Sequence, residues 1–168
     1  TISIKTKTED IAKEVKVTEE PFNIFISGID TYGSISSVSR SDVNIIMSVN
    51  PTTKEILLTN IPRDYYVKLH TFGEYDKLTH AGIYGVDESI HTLEDLFDTK
   101  INYYVKVNFT SLVDIVDALG GVIVNSKYSF VSQDGYSYKK GKNVLDGKKA
   151  LSFARERKSF KEGDRVRG

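Results

Sequence analysis

The chain contains no cysteine, and only three prolines stand among its 168 residues. Without cysteine there is no disulfide framework and no thiolate chemistry, and the redox compartment is left undetermined. Long apolar runs are missing too. The longest stretch without a charged residue, 43–53, is eleven residues with polar groups inside it. A membrane span needs about 20 predominantly apolar residues, so the sequence holds none, and its opening TISIKTKTED lacks the apolar core of a signal peptide. GxxxxGK[ST] and GxSxG are both absent, which argues against a phosphate-binding P-loop and a nucleophile elbow. Net charge is zero, 23 basic residues against 23 acidic.

What is present is a globular composition, 39% apolar and 27% charged. At this length one domain can bury roughly 70% of its unfolded surface. The zero net charge hides an asymmetry. Residues 139–168 carry eleven basic and four acidic side chains, so the remainder of the chain is acidic. A basic end segment on a neutral protein suggests a local anionic ligand, whereas a nucleic-acid binder would show a broad basic face.

Residues 1–20 read as a polar lead-in with strand-like fragments around Ile2, Ile4, Val15 and Val17, closed by Pro21. Apolar runs of strand length follow at 23–29, 42–49 and 55–61, with a turn at 50–54 and a stop at Pro62. Residues 65–69 read as continuing extended. Asp87 is expected to cap a helix carrying Ile90, Leu93 and Phe97, and 101–107 is another strand. Asn108 or Thr110 then caps a helix containing Leu112, Val113, Ile115, Val116 and Leu119, ended by Gly120 and Gly121. A short buried strand at 122–124, a hairpin at 127–138 around Asp134-Gly135, and a final helix from Asp146 to about Ser152 complete the reading. Strands and helices alternate, so the expected fold is α/β: a layered α-β-α domain with a central mixed sheet.

Topology brings charges together. If 23–29, 42–49 and 55–61 form an antiparallel meander, Asp30, Arg40, Asp42 and Arg63 meet at one rim. Arg40 and Asp42 share a face in extended backbone. Converging carboxylates repel unless a cation or proton lies between them. Magnesium typically takes one or two carboxylates and completes its shell with water and phosphate oxygens, while arginine grips phosphate bidentately. The same spacing also fits surface ion pairs at strand ends. Near the end of the chain, Arg155 and Arg157 would share a face only if the helix stops near Ser152 and the segment runs extended; a solvated basic tail is the plainer reading. His70, His80 and His91 lack metal-ligand spacing and read as surface or capping residues. Asp30-Thr31-Tyr32-Gly33 resembles an aspartyl phosphatase loop, but the second aspartate such a loop needs is Tyr32. Tyr65, Tyr66, Tyr103 and Tyr104 could line a groove.

The strings FNIFISGID, SRSDVNIIMSVNP, ILLTNIPRD, DKLTHAGIYG, DALGGV, LDGKKALSFARERK and GDRVRG occur in that order. Together they closely resemble the LytR–CpsA–Psr family, and especially its streptococcal capsule-locus members. The resemblance implies a transferase of cell wall biogenesis: a phosphotransferase that moves a polyprenyl-diphosphate-linked glycopolymer, here capsular polysaccharide, onto peptidoglycan. It implies Mg²⁺ held by Asp30 and Asp42, and diphosphate gripped by Arg40, Arg63, Lys77, Arg155, Arg157 and Arg167, with Arg165 off the family pattern. Asp30, Asp42, Arg63 and Arg157 are the expected catalytic set. The implied setting is the outer face of a Gram-positive cell membrane. The family's domain would be a monomer covering 21–168 with its C-terminal end missing, and residues 1–20 would be the last of an absent membrane-anchored region. It also implies a hydrophobic cleft for the polyprenyl chain, which the apolar strands and the helix at 110–119 could furnish. A polyprenyl-diphosphate glycan hydrolase would use the same ions, and a non-catalytic anionic-polymer-binding or regulatory module would need only the basic segment. Nucleic acid is not an expected partner.

Overall fold

The computed structural model describes residues 4–6, 15–35, 38–156 and 159. The chain forms two compact units, Thr1–Asn108 and Phe109–Gly168. The first holds strands β1 (Ile4–Thr6), β2 (Phe22–Gly28), β3 (Val43–Asn50), β4 (Glu55–Ile61), β5 (Tyr66–Lys68) and β6 (Tyr75–Lys77). Helices α1 (Leu78–Ala81) and α2 (Val86–Phe97) and strand β7 (Tyr103–Val107) complete it. The second holds helix α3 (Phe109–Ala118), strands β8 (Val122–Ser126), β9 (Phe130–Val131), β10 (Ser137–Tyr138) and β11 (Gly141–Leu145), and helix α4 (Gly147–Arg155).

Five strands make the central sheet in the order β1-β7-β2-β3-β4. The β2–β7 pair is parallel and the other pairs are antiparallel, so the sheet is mixed. Strand alternation decides which residues go inside. Phe25, Ile46, Ile61 and Tyr104 share one face and pack with Leu78, Ala81, Ile90 and Leu93 of α1 and α2 as one core. The alternate positions make the second face apolar as well: Ile24, Ile26, Ile45 and Met47 are half-buried, and Ile56 and Leu58 are exposed. The β3–β4 turn is set locally. The Asn50 side-chain carbonyl accepts from the backbone N–H groups of Thr52 and Thr53 at 3.1 and 3.2 Å, and Lys54 takes a left-handed conformation. That turn fixes the register Asn50↔Glu55 and so returns β4 to the rim where β2 ends.

Several boundaries differ from the sequence reading, each for a physical reason. Asp87 does not cap α2; the cap position is Gly85, and Asp87 and Glu88 sit in the first turn, where negative charge suits the helix dipole. Phe97 is the last residue of α2 and is exposed. The extended segment after Pro62 becomes β5 only by pairing with β6, in a separate two-stranded ribbon. In the second unit, α3 begins directly after Asn108 and closes through Gly121 N–H to the Val116 carbonyl, with Gly120 and Gly121 at positive φ. The strand at 122–124 extends to Ser126 and is not buried throughout: it pairs only with β11, and Ile123 is exposed. The expected hairpin is β9–β10, with Gly135 at positive φ in its turn. Asp146 caps α4 as expected, accepting from Lys149 N–H at 2.8 Å.

Candidate functional site

The meander delivers three chain ends to one rim of the first unit. Asp42 immediately precedes β3, and its N–H donates to the Gly28 carbonyl at 2.8 Å, which ties it to the end of β2. Ile29 N–H donates to the Val107 carbonyl at 2.9 Å, so the chain leaving β2 stays on the sheet for one more residue before reaching Asp30. Asp30 N–H then donates to Asp42 Oδ2 at 3.2 Å. Arg63 follows β4 in a turn closed by Tyr65 N–H to the Pro62 carbonyl, and its own carbonyl accepts from Thr79 N–H of α1 at 2.9 Å.

From these anchors a chain of charges runs across the rim. Arg63 Nη1 donates to Asp42 Oδ1 at 2.6 Å, and Arg63 Nε lies 3.7 Å from Asp64 Oδ2. Lys77 Nζ donates to Asp64 Oδ1 at 3.1 Å. The hydrogen bond to Asp42 holds the Arg63 guanidinium more firmly protonated than usual. The Lys77 ammonium, by hydrogen bond and charge, holds the Asp64 carboxyl below its ordinary range. Arg40 is exposed two residues before Asp42, and among the described residues neither Arg40 nor the Asp30 carboxylate forms an ion pair. The structure therefore brings Asp30, Asp42, Arg63 and Lys77 to one rim. Asp64 was missed by sequence reasoning, although its position directly after Pro62-Arg63 at a strand end was the signal.

The loop carrying Arg40 and Asp42 is pinned from behind. Ser39 N–H donates to the Gly82 carbonyl at 3.2 Å, and a Cβ built on Gly82 would collide with the Ser39 carbonyl oxygen. Only glycine allows that approach. Close by in sequence, the buried side chains of Ser41 and Asn44 have no hydrogen-bond partner among the described residues.

Arg155 belongs to the second unit. The helix does not stop near Ser152 but continues through Arg155, so the expected extended Arg155-to-Arg157 face does not begin there. A capped start and the helix-forming residues Ala150 and Leu151 carry α4 on, and a cation suits its last turn. The Arg155 guanidinium lies 4.3 Å from the centroid of the Phe109 ring. Arg157, Arg165 and Arg167 lie outside the described residues. The four tyrosines divide. Tyr104 is buried, and desolvation pushes its hydroxyl up to about 12; Tyr103 packs edge-on against Phe22; Tyr65 and Tyr66 are exposed. Two of the three histidines sit beside acids: His70 Nδ1 is 2.6 Å from Asp95 Oδ2, and its ring stacks on that of His91, while His80 Nδ1 is 2.9 Å from Asp76 Oδ2. A depression of about 240 Å³ lined by Phe22, Val49 and Leu57 lies at the opposite end of the strands from the rim.

A mixed α/β sheet with carboxylates and guanidinium gathered where its strands end is a site suited to a phosphorylated ligand and a hard cation. The LytR_cpsA_psr family profile matches residues 1–168, and the chain belongs to that family. It is 41% identical over 162 residues to the polyisoprenyl-teichoic acid–peptidoglycan teichoic acid transferase TagU of Bacillus subtilis, covering 95% of this chain and 51% of that protein. The TagU of Enterococcus faecalis is also 41% identical, over 149 residues, covering 87% of this chain and 48% of that one. The chain thus spans about half the length of these relatives. Among solved structures, Bacillus subtilis TagV matches with a TM-score of 0.72 and 34% identity, over 89% of this chain and 59% of that one. TagT with bound octaprenyl pyrophosphate lipid matches at 0.69 and 34%, over 87% and 61%. Among the described residues, no helix is long and apolar enough to cross a membrane.

Proposed function

We propose that this chain is the catalytic part of a phosphotransferase that moves a polyprenyl-diphosphate-linked glycopolymer onto peptidoglycan at the outer face of the cell membrane. The observation that carries this reading is the rim itself, where Arg63 contacts Asp42 at 2.6 Å and the backbone of Asp30 reaches the same carboxylate. The names of the TagU relatives and the lipid in the TagT structure support it. The polymer is a capsular polysaccharide or a teichoic acid, and the donor supplied to the assay separates the two.

In this reading Asp30 and Asp42 hold Mg²⁺. The donor set fits. An ionised carboxylate has about four acceptor sites, so Asp42 can ligate while keeping Arg63 and the Asp30 N–H. Among the described residues no group of three or more acidic or imidazole side chains converges, leaving water and phosphate oxygens to fill the shell of such a cation. Bound there, magnesium would neutralise charge on the donor diphosphate. Arg63, Arg40 and Lys77 position that diphosphate and meet the negative charge that grows on the departing polyprenyl phosphate. A peptidoglycan hydroxyl attacks the sugar-linked phosphorus: its oxygen forms the new P–O bond, its proton passes to solvent water, and the bond to polyprenyl phosphate breaks, that phosphate leaving as the anion. The half-buried apolar face of the sheet supports a place for the polyprenyl tail.

The test is an assay with a labelled polyprenyl-diphosphate glycan, peptidoglycan and magnesium, run with and without EDTA. Label should move to peptidoglycan, EDTA should stop it, and Asp42→Ala should lower the rate at least about 100-fold, the scale of one electrostatic catalytic group. Full activity of Asp42→Ala, or transfer indifferent to EDTA, would overturn the metal assignment. Release of free glycan with none on peptidoglycan would make the enzyme a hydrolase.

A further inference from the structure

The ribbon β5–β6 carries more exposed aromatic surface than a structural hairpin needs. The rings of Tyr66 and Tyr75 stack with centroids 5.4 Å apart and planes within 25°, yet they are 69% and 59% exposed. Tyr65 beside them is 48% exposed. At the ribbon's turn Phe72 and Tyr84 form a second ring pair, 4.4 Å apart and both about half exposed. The ribbon is nevertheless fixed. Val67, next to Tyr66, is only 2% exposed, Leu69 N–H donates to the Glu74 carbonyl, and Leu78 N–H donates to the Tyr65 carbonyl. Rigid aromatic rings turned to solvent mark an interaction site more often than they serve stability.

The ribbon is continuous with the rim. It begins three residues after Arg63 and ends at Lys77, whose ammonium rests on Asp64. Its charges cancel: from Tyr66 to Lys77 stand Lys68 and Lys77 against Glu74 and Asp76. A platform with no net charge has nothing to attract a polyanionic polymer or a nucleic acid. Flat aromatic faces edged by phenol, carboxylate and ammonium groups suit a pyranose ring, which presents apolar C–H groups on its face and hydroxyls at its edge.

We propose that Tyr66 and Tyr75, with Tyr65 at their side, are a docking platform for the sugar rings of the acceptor, the β-linked N-acetylhexosamine rings of a peptidoglycan glycan strand, whose lactyl carboxyls are amide-linked to the stem peptides. This rests on the transfer reaction proposed above. The strand lies across the stacked tyrosines with a sugar hydroxyl presented to the phosphorus held at Arg63. Tyr66 and Tyr75 are specificity residues for the acceptor and take no part in holding the diphosphate.

The experiment uses the full-length protein and, as the probe strand, a soluble oligomer of β-linked N-acetylglucosamine, which has the backbone without the lactyl carboxylates that peptide-free strands expose. Strand binding is followed by NMR of the tyrosine rings without donor, and transfer kinetics are measured separately against peptidoglycan. Tyr66→Ala and Tyr75→Ala should each weaken strand binding and raise the acceptor KM about tenfold, equivalent to 1.4 kcal/mol, with kcat and donor affinity unchanged. Tyr66→Phe should retain wild-type behaviour, since it keeps the ring. Both tyrosines are exposed, so thermal melting should not move. Unchanged acceptor binding in both alanine variants overturns the platform, as does a loss of donor affinity in place of acceptor affinity. If the wild-type protein transfers nothing, the proposed reaction fails, while strand binding in the absence of donor still decides the platform.

Discussion

At the scale of single residues, Arg63 is the most connected group of the rim, facing Asp42 on one side and Asp64 on the other. Two carboxylates hold its planar fork in place before any phosphate arrives, so little side-chain entropy is left to lose on binding. A lysine cannot sit in both contacts and still present two parallel N–H groups. Arg63→Lys should therefore weaken binding of a polyprenyl diphosphate about 10- to 150-fold, corresponding to roughly 1.5–3 kcal/mol for a charge-assisted contact; titration calorimetry measures it. Asp64 gives a second check. Lys77, through its hydrogen bond and charge, lowers the Asp64 carboxyl from 3.8. A depressed folded-state value means that this pairing helps the fold at pH above the unfolded value and stops helping as pH falls through the folded one, that is, below about 4. In Lys77→Met the Asp64 carboxyl should titrate back up toward 3.8, which carboxyl-detected NMR reads directly. Of these groups Asp30, Asp42 and Arg63 were legible in the sequence because a three-strand meander with one short turn dictates which ends coincide. Asp64 and the Tyr66–Tyr75 stack were not. Tyr75 lies beyond a loop whose partner strand has only three residues, too few for a periodic signal.

At the scale of elements, legibility followed length and apolar content. β2, β3 and β4 fall within a residue of the expected bounds because continuous apolar runs closed by Gly28, Pro51 and Pro62 leave little choice. The helix starts were less legible, since an acidic residue serves equally at the cap and in the first turn, as Asp87 does. The end of α4 was read wrongly because a functional preference for aligned arginines was allowed to outweigh helix propensity. The contact between α1's following turn and the 38–42 loop could not be read at all, since no pattern announces that Gly82 must touch the Ser39 carbonyl. It yields an element-scale prediction. In Gly82→Ala the new methyl must push the loop away, costing about 1–3 kcal/mol as overpacking does. The melting temperature should fall by roughly 2–4 °C for each kcal/mol. Transfer activity should fall further than stability, because the displaced segment carries Arg40 and Asp42.

At the scale of the whole molecule, the sheet's core and its rim are built from different materials. The core of the first unit is Phe25, Ile46, Leu78, Leu93 and their neighbours, and none of it depends on the charges at the rim. EDTA should therefore abolish transfer while leaving the melting temperature within about 2 °C, and a scan of thermal unfolding with and without chelator checks it. Ligand binding should still stabilise by mass action, so added polyprenyl diphosphate should raise the melting temperature when magnesium is present.

The parallel pairing of β2 with β7 also governs how the chain must acquire its structure. Asn23 and Asn102, which exchange hydrogen bonds beside that pairing, are 79 positions apart. The meander β2–β3–β4 can form from neighbours, but one side of β2 stays open until β7 has been made. Pairing across so long a loop is slow. During that interval the unsatisfied edge of β2 and the apolar faces beside it are free to meet another chain. A chain stalled before residue 103 would hold a three-stranded sheet with a bare, sticky border. Aggregation during synthesis or refolding should accordingly be set by how quickly the last central strand arrives.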